Sequence, residues 1–123
     1  MSKISECKER AFISRSLAKT KFKARTERNL EFDLTLDDVM YALREQKYKC
    51  ALTGWDLEFT NGGDFHGTNP RGCTIDRIDN NRGYVKDNIQ LACCMANVIR
   101  SDTPIRLFAD FATAVSKKLA VPG

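Results

Sequence analysis

Between positions 75 and 97 the chain gathers Asp76, Arg77, Asp79, Asn80, Asn81, Asp87, Asn88 and Asn97. Carboxylate and amide oxygens are hard donors, and two of them, with water and a phosphate completing the shell, suit Mg²⁺ or Mn²⁺. Asp76 and Asn97 are the pair that a compact strand-hairpin-helix unit would bring together. The same residue types have a plainer use, because Asx side chains often do no more than satisfy the turns they occupy. Arg71, Arg82 and Lys86 flank this segment; each alone reads first as a solvated charge, while the three together suit phosphate contacts.

The elements around these residues follow from spacing. Thr74 to Asp79 alternates as a strand, residues 80–88 form a turn-rich connection around Arg82-Gly83-Tyr84, and residues 89–92 form a second strand, which makes a hairpin with a long loop. Residues 93–100 contain no breaker and continue as a helix. Thr103-Pro104 then opens a last helix over about 105–119, expected to bury Leu107, Phe108, Phe111, Ala114 and Val115. Upstream, residues 4–25 lack Pro and Gly. Lys8, Phe12, Arg15, Lys19 and Lys23 recur at helical spacing, so one face of that helix is basic while Ile13 and Leu17 face inward. Thr35 with an acidic residue three places on caps a second helix that buries Val39, Met40 and Leu43. Cys50 to Gly54 reads as a tight knuckle and residues 55–59 as a short strand, with Trp55 expected to pack inward alongside Leu57 and Phe59. His66, the single histidine, lies in the Gly-rich loop 61–72.

A length of 123 residues fits one domain, with 42% apolar and 29% charged residues excluding a disordered tail or a fibrous repeat. No apolar run is long enough to span a membrane, and the start lacks the hydrophobic stretch of a secretory signal, so the expected location is the cytosol. Five cysteines, at 7, 50, 73, 93 and 94, suit free thiols in a reducing compartment better than a disulfide framework. Charge is uneven: residues 1–30 hold nine Lys/Arg against three Glu, net +6, within a chain of net +4. Such a field suits a polyanion, and equally a solvated basic helix.

Cys50-Ala51-Leu52-Thr53-Gly54, Thr74-Ile75-Asp76-Arg77-Ile78, Asn88-Ile89-Gln90-Leu91 and Cys93-Cys94-Met95-Ala96-Asn97 occur in the order of the HNH endonuclease motifs, and the chain resembles that family. The resemblance spans about residues 50–102, and the lead-in looks like that of the small HNH proteins common in phages and prophages. It implies an α+β fold: a basic helical lead-in over 1–49, a ββα-metal core over 50–101 and a C-terminal helix over 103–119. It also implies DNA phosphodiester cleavage or nicking in the cytosol, that of a bacterial host if the protein is phage-encoded. RNA is not distinguished from DNA, and a dimer is one way to cut both strands. By position, Asp76 and Asn97 resemble the ligands of one Mg²⁺ or Mn²⁺, and Asn88 the central Asn that ties the hairpin loop.

Arg77 stands where the family places the histidine that activates water. Arginine stays protonated near neutral pH, so it suits a phosphate clamp rather than a general base. The base then falls to His66, to Asp79 or to a metal-activated water. The alternative function is a catalytically silenced nucleic-acid-binding or regulatory module. Lys8, Arg15, Lys19, Lys23, Arg71, Arg82 and Lys86 are the candidate phosphate contacts. Thr53 and Ala96 replace two thiolates of the family's paired Cys-x-x-Cys motifs, so a structural Zn²⁺ is not expected.

Overall fold

Local signals set the first two helices. In the structure, a computed structural model that describes residues 6–120, α1 runs over Cys7–Thr26 and α2 over Leu36–Glu45. Ile4 and Ser5 of the expected first helix lie outside the described residues. The α2 cap is reciprocal: the Asp38 N–H donates to the Thr35 hydroxyl at 3.1 Å and the Thr35 N–H to the Asp38 carboxylate at 3.0 Å. Only Phe12, Ile13 and Ala24 of α1 are buried, which leaves its basic residues in water, whereas α2 turns Val39, Met40 and Leu43 inward.

Their partner is an antiparallel hairpin, β2 (Cys73–Arg77) with β4 (Ile89–Cys93), in the register Cys73↔Cys93, Ile75↔Leu91 and Arg77↔Ile89. Ile75, Leu91, Cys50, Cys73 and Cys93 meet the helices in one core. Gln46, just past α2, extends the hairpin with a side chain: its amide donates to the Leu91 carbonyl at 2.8 Å while its oxygen accepts from the Leu91 N–H at 2.9 Å. The chain then enters α3 (Cys94–Arg100) directly from β4, giving the ββα unit. The mixed helical and β composition is the α+β class expected.

Two details differ from the sequence reading. Residues 55–59 form no strand, because their partners lie on separate segments: the Leu57 N–H donates to the Tyr48 carbonyl and the Glu58 N–H to that of Arg71, leaving isolated bridges. Trp55 is exposed rather than packed inward; it follows the turn at Gly54, and the Arg71 guanidinium covers its ring at 4.0 Å.

A short parallel pairing ties the lead-in to the hairpin loop. Strand β1 (Phe32–Asp33) pairs with β3 (Tyr84–Val85), and the Tyr84 N–H donates to the Glu31 carbonyl at 2.8 Å. Gly83 makes this approach feasible, since a Cβ there would stand 2.3 Å from the Glu31 oxygen.

The last helix, α4 (Ile105–Leu119), lies where the sequence places it but buries none of its residues. The expectation that Leu107, Phe108, Phe111, Ala114 and Val115 close the domain is therefore overturned. Amphipathic spacing specifies an apolar face, not what covers it.

Candidate active-site cleft

The hairpin loop is held open and rigid by one amide. Asn88, fully buried, accepts from the Asp79 N–H at 2.9 Å and donates to the carbonyls of Asp79 at 3.0 Å and Gly83 at 2.9 Å. Three bonds from one side chain fix the loop's path without a ladder. The Arg77 guanidinium closes the same loop from outside, donating to the carbonyls of Asn80 at 2.8 Å and Arg82 at 3.0 Å, and it lies 5.4 Å from the Tyr84 ring.

Along β2, Asp76 and Arg77 open onto a cleft of about 560 Å³ whose far wall is α1 and whose floor is α3. Lys19 and Lys23 reach it from α1, Arg28 from the segment after α1, and Asn97 and Asp102 from α3 and beyond. Asn97 donates its amide N–H to the Thr74 hydroxyl at 2.9 Å, which orients the side chain and leaves its oxygen free of hydrogen bonds among the described residues. Arg28 donates to the Tyr84 hydroxyl at 2.9 Å, fixing both on the rim.

Asp76 is not free. It is 4% exposed, accepts from the Gln90 amide at 2.9 Å, and faces Arg100, whose Nη1 stands 3.2 Å from each carboxylate oxygen. Arg100 is 2% exposed and also donates to the carbonyls of Arg77 and Ile78, both at 3.3 Å. Burial pushes the Asp76 carboxyl upward, opposed by the Gln90 amide and the Arg100 and Arg77 charges. The site therefore carries its own cation, contributed by the last residue of α3.

The residues named from sequence divide. Asp76, Arg77, Asn97, Lys19 and Lys23 come together on the cleft. His66 does not: it is exposed in the 61–72 loop, edge-on to Phe65 at 4.8 Å between ring centres, and is not among the cleft's walls. Asp79 spends its carboxylate on the Asn81 N–H at 2.9 Å, as an Asx turn does, and is likewise off the cleft. Arg71 stacks on Trp55, while Arg82 pairs with Asp87 at 2.8 Å and lines, with Lys86, a separate shallow concavity. Lys8 and Arg15 are exposed on α1 outside the cleft. Arg28, Tyr84, Gln90, Arg100 and Asp102 were given no functional role from sequence. Their signal is three-dimensional, except that Arg28 belongs to the basic N-terminal run.

Cys50, Cys73 and Cys93 cluster in the core, where the Cys50 sulfur accepts from the Cys93 N–H at 3.2 Å. Burial, with Cys50 alongside, pushes the Cys73 thiol up to about 12. Burial also raises Cys50, but hydrogen bonds from Thr53 and from the N–H groups of Cys93 and Leu52 outweigh it and bring that thiol down. Among the described residues no group of three or more His, Cys, Asp or Glu is placed to hold a metal. Nor is any described helix long and apolar enough to cross a membrane.

No family model matches the chain, and a search of curated proteins finds no match. Among solved structures, the rare-cutting HNH restriction endonuclease PacI superposes with a TM-score of 0.61 at 19% identity, covering 85% of this chain and 77% of that one. The chain has an HNH-like fold. The PacI structure was described for its mechanism of DNA perturbation. Identity at this level carries the HNH-like architecture across and leaves the chemistry to the cleft's own residues.

Proposed function

We propose that this HNH-like protein cleaves or nicks DNA phosphodiester bonds in the cleft between α1 and the ββα unit. The observation that carries the reading is the convergence of Asp76, Arg77 and Asn97 on one cleft rimmed by Lys19, Lys23 and Arg28. The three rim cations draw in the polyanion and hold its backbone along α1. Arg77, with two N–H groups spent on loop carbonyls, is held rigid, and its remaining donors meet a phosphate oxygen as charge develops there.

Asp76 and Asn97 fit one divalent ion, Mg²⁺ or Mn²⁺: an acid and a free amide oxygen share the cleft, on the condition that the ion and Arg100 share Asp76. Such an ion supplies Lewis-acid stabilisation of the phosphate and its leaving oxygen. Asp102, the cleft carboxylate not held by a guanidinium among the described residues, replaces His66 and Asp79 as the candidate proton acceptor for water.

Conversion of supercoiled plasmid to open circles with Mg²⁺ or Mn²⁺, and its loss in EDTA, tests this. A second reading, a silenced module that binds nucleic acid without cutting it, is favoured by the Arg100 guanidinium on both Asp76 oxygens. Under that reading the plasmid shifts in a gel and is never nicked.

A further inference from the structure

Asn97 and Arg100 lie three residues apart on α3, so one face of the helix presents both to β2: the Asn97 amide reaches the Thr74 hydroxyl at 2.9 Å and the Arg100 guanidinium reaches Asp76 at 3.2 Å. The amide oxygen that would help hold a divalent ion and the cation that opposes it thus arrive from the same turn. Arg100 cannot swing into water. It is 2% exposed, it also donates to the carbonyls of Arg77 and Ile78, and it closes a helix that enters straight from β4.

A carboxylate offers about four acceptor positions. On Asp76, Oδ2 accepts from Gln90 and from Arg100, and Oδ1 accepts from Arg100, which leaves one position, on Oδ1. Charge tightens the limit. Lys19, Lys23, Arg28 and Arg77 face the cleft against Asp76 and Asp102, and Arg100, from behind, offsets the first of those carboxylates. Without nucleic acid the cleft is net cationic, so a dication meets repulsion there. A backbone phosphate reverses this, because it brings negative charge together with further oxygen ligands, and Mg²⁺ is commonly held by one or two carboxylates plus substrate phosphate.

We propose that Arg100 makes the cleft's divalent ion conditional on bound DNA: its guanidinium suppresses loading of the free protein, and a phosphate of the nucleic acid restores it. On the nuclease reading above, on which this rests, Arg100 acts through Asp76 as a positioning residue and touches no substrate. DNA and metal are then linked, each raising the other's affinity by the same factor.

The electron paramagnetic resonance signal of free Mn²⁺, followed as the full chain is titrated at fixed ionic strength with and without a short phosphorothioate duplex, tests this. Asn97→Ala, titrated in parallel, marks the Mn²⁺ held outside the cleft, on the duplex backbone above all. The expected result is weak cleft binding by the DNA-free wild type that tightens roughly tenfold or more with the duplex, and a rise of similar size in the DNA-free affinity of Arg100→Gln, which keeps an amide donor but no charge. Lys19→Gln combined with Lys23→Gln, both exposed, should raise it by less, and this variant decides the matter where Arg100→Gln does not fold. Equal cleft affinity with and without the duplex overturns the inference, while plasmid nicking continues to support the nuclease reading. So does a DNA-free affinity that folded Arg100→Gln, or the double lysine variant, leaves unchanged. Cleft uptake of Mn²⁺ in neither state overturns it too, and the plasmid assay decides separately whether the nuclease reading falls with it.

Discussion

Replacing Asp76 by alanine is the obvious knock-out of the cleft, and the structure indicates that it first damages the fold. Asp76 is the carboxylate partner of a guanidinium that is 2% exposed. Without it, Arg100 keeps two carbonyl contacts, both long at 3.3 Å, and its Nε already lacks a partner among the described residues. Removing one member of a buried pair leaves an uncompensated charge and typically costs about 3–5 kcal/mol. Against a total stability of about 5–15 kcal/mol for a domain of this kind, that is between about a fifth of the margin and all of it.

Urea unfolding followed by tryptophan fluorescence measures it: Asp76→Ala should lose about 3–5 kcal/mol with an unchanged denaturant slope. Asp76→Asn, which keeps an oxygen acceptor for Gln90 and Arg100, should lose less. Asp76→Ala combined with Arg100→Met should recover part of the loss, because the stranded charge is gone. A loss below about 1 kcal/mol in Asp76→Ala would show that Arg100 is not held by this carboxylate and refute the description of the site.

Three further outcomes follow from other parts of the molecule. Glu6 accepts from Arg44 at 2.8 and 3.0 Å and from the Tyr48 hydroxyl, bonds that bring its carboxyl down to about 2; its folded value lies below its unfolded one, so its contribution is present above about 4.5 and lost as pH falls toward 2. Melting temperature against pH should therefore be lower at neutral pH and flatter over pH 4.5 to 2 in Glu6→Gln. Gly83→Ala puts a methyl 2.3 Å from the Glu31 carbonyl and should cost about 1–3 kcal/mol while exposing the Tyr84 amide to hydrogen exchange; wild-type stability would mean that the β1–β3 pairing yields freely. Replacing Lys19, Lys23 and Arg28 by Gln should lower the log-affinity against log-salt slope for duplex DNA by about 0.9 per lost contact, more than the same change at Lys8 and Arg15; equal effects would remove the cleft as the binding face.

What sequence could reveal was what neighbours along the chain decide. Thr35 and Asp38 cap α2 within three residues of each other, and the alternation of Ile75 and Leu91 sets the hairpin's inner face. Their placement on one strand-hairpin-helix unit also pairs Asp76 with Asn97, which do share a cleft, and resemblance adds the role of metal ligands. The Arg100–Asp76 pair spans 24 positions and leaves no periodicity; a terminal helical arginine looks the same whether it is solvated or swallowed. The β1–β3 pairing is two residues on each side, below any alternation signal. His66 and Asp79 were plausible bases by type alone, and geometry sends one to an exposed loop and the other into a turn.

Asn97 provides the cleanest test of cleavage in this cleft, since its removal orphans no buried charge and forfeits one hydrogen bond, to Thr74. Single-turnover cleavage of end-labelled duplex DNA in Mn²⁺ should be compared between the wild type and Asn97→Ala, both verified as folded by urea unfolding. The account predicts cleavage by the wild type and a loss of about a hundredfold or more in the variant, with stability within about 1 kcal/mol. A wild type that binds the duplex without cutting it, or a variant that cuts within a few-fold of wild type, would contradict it.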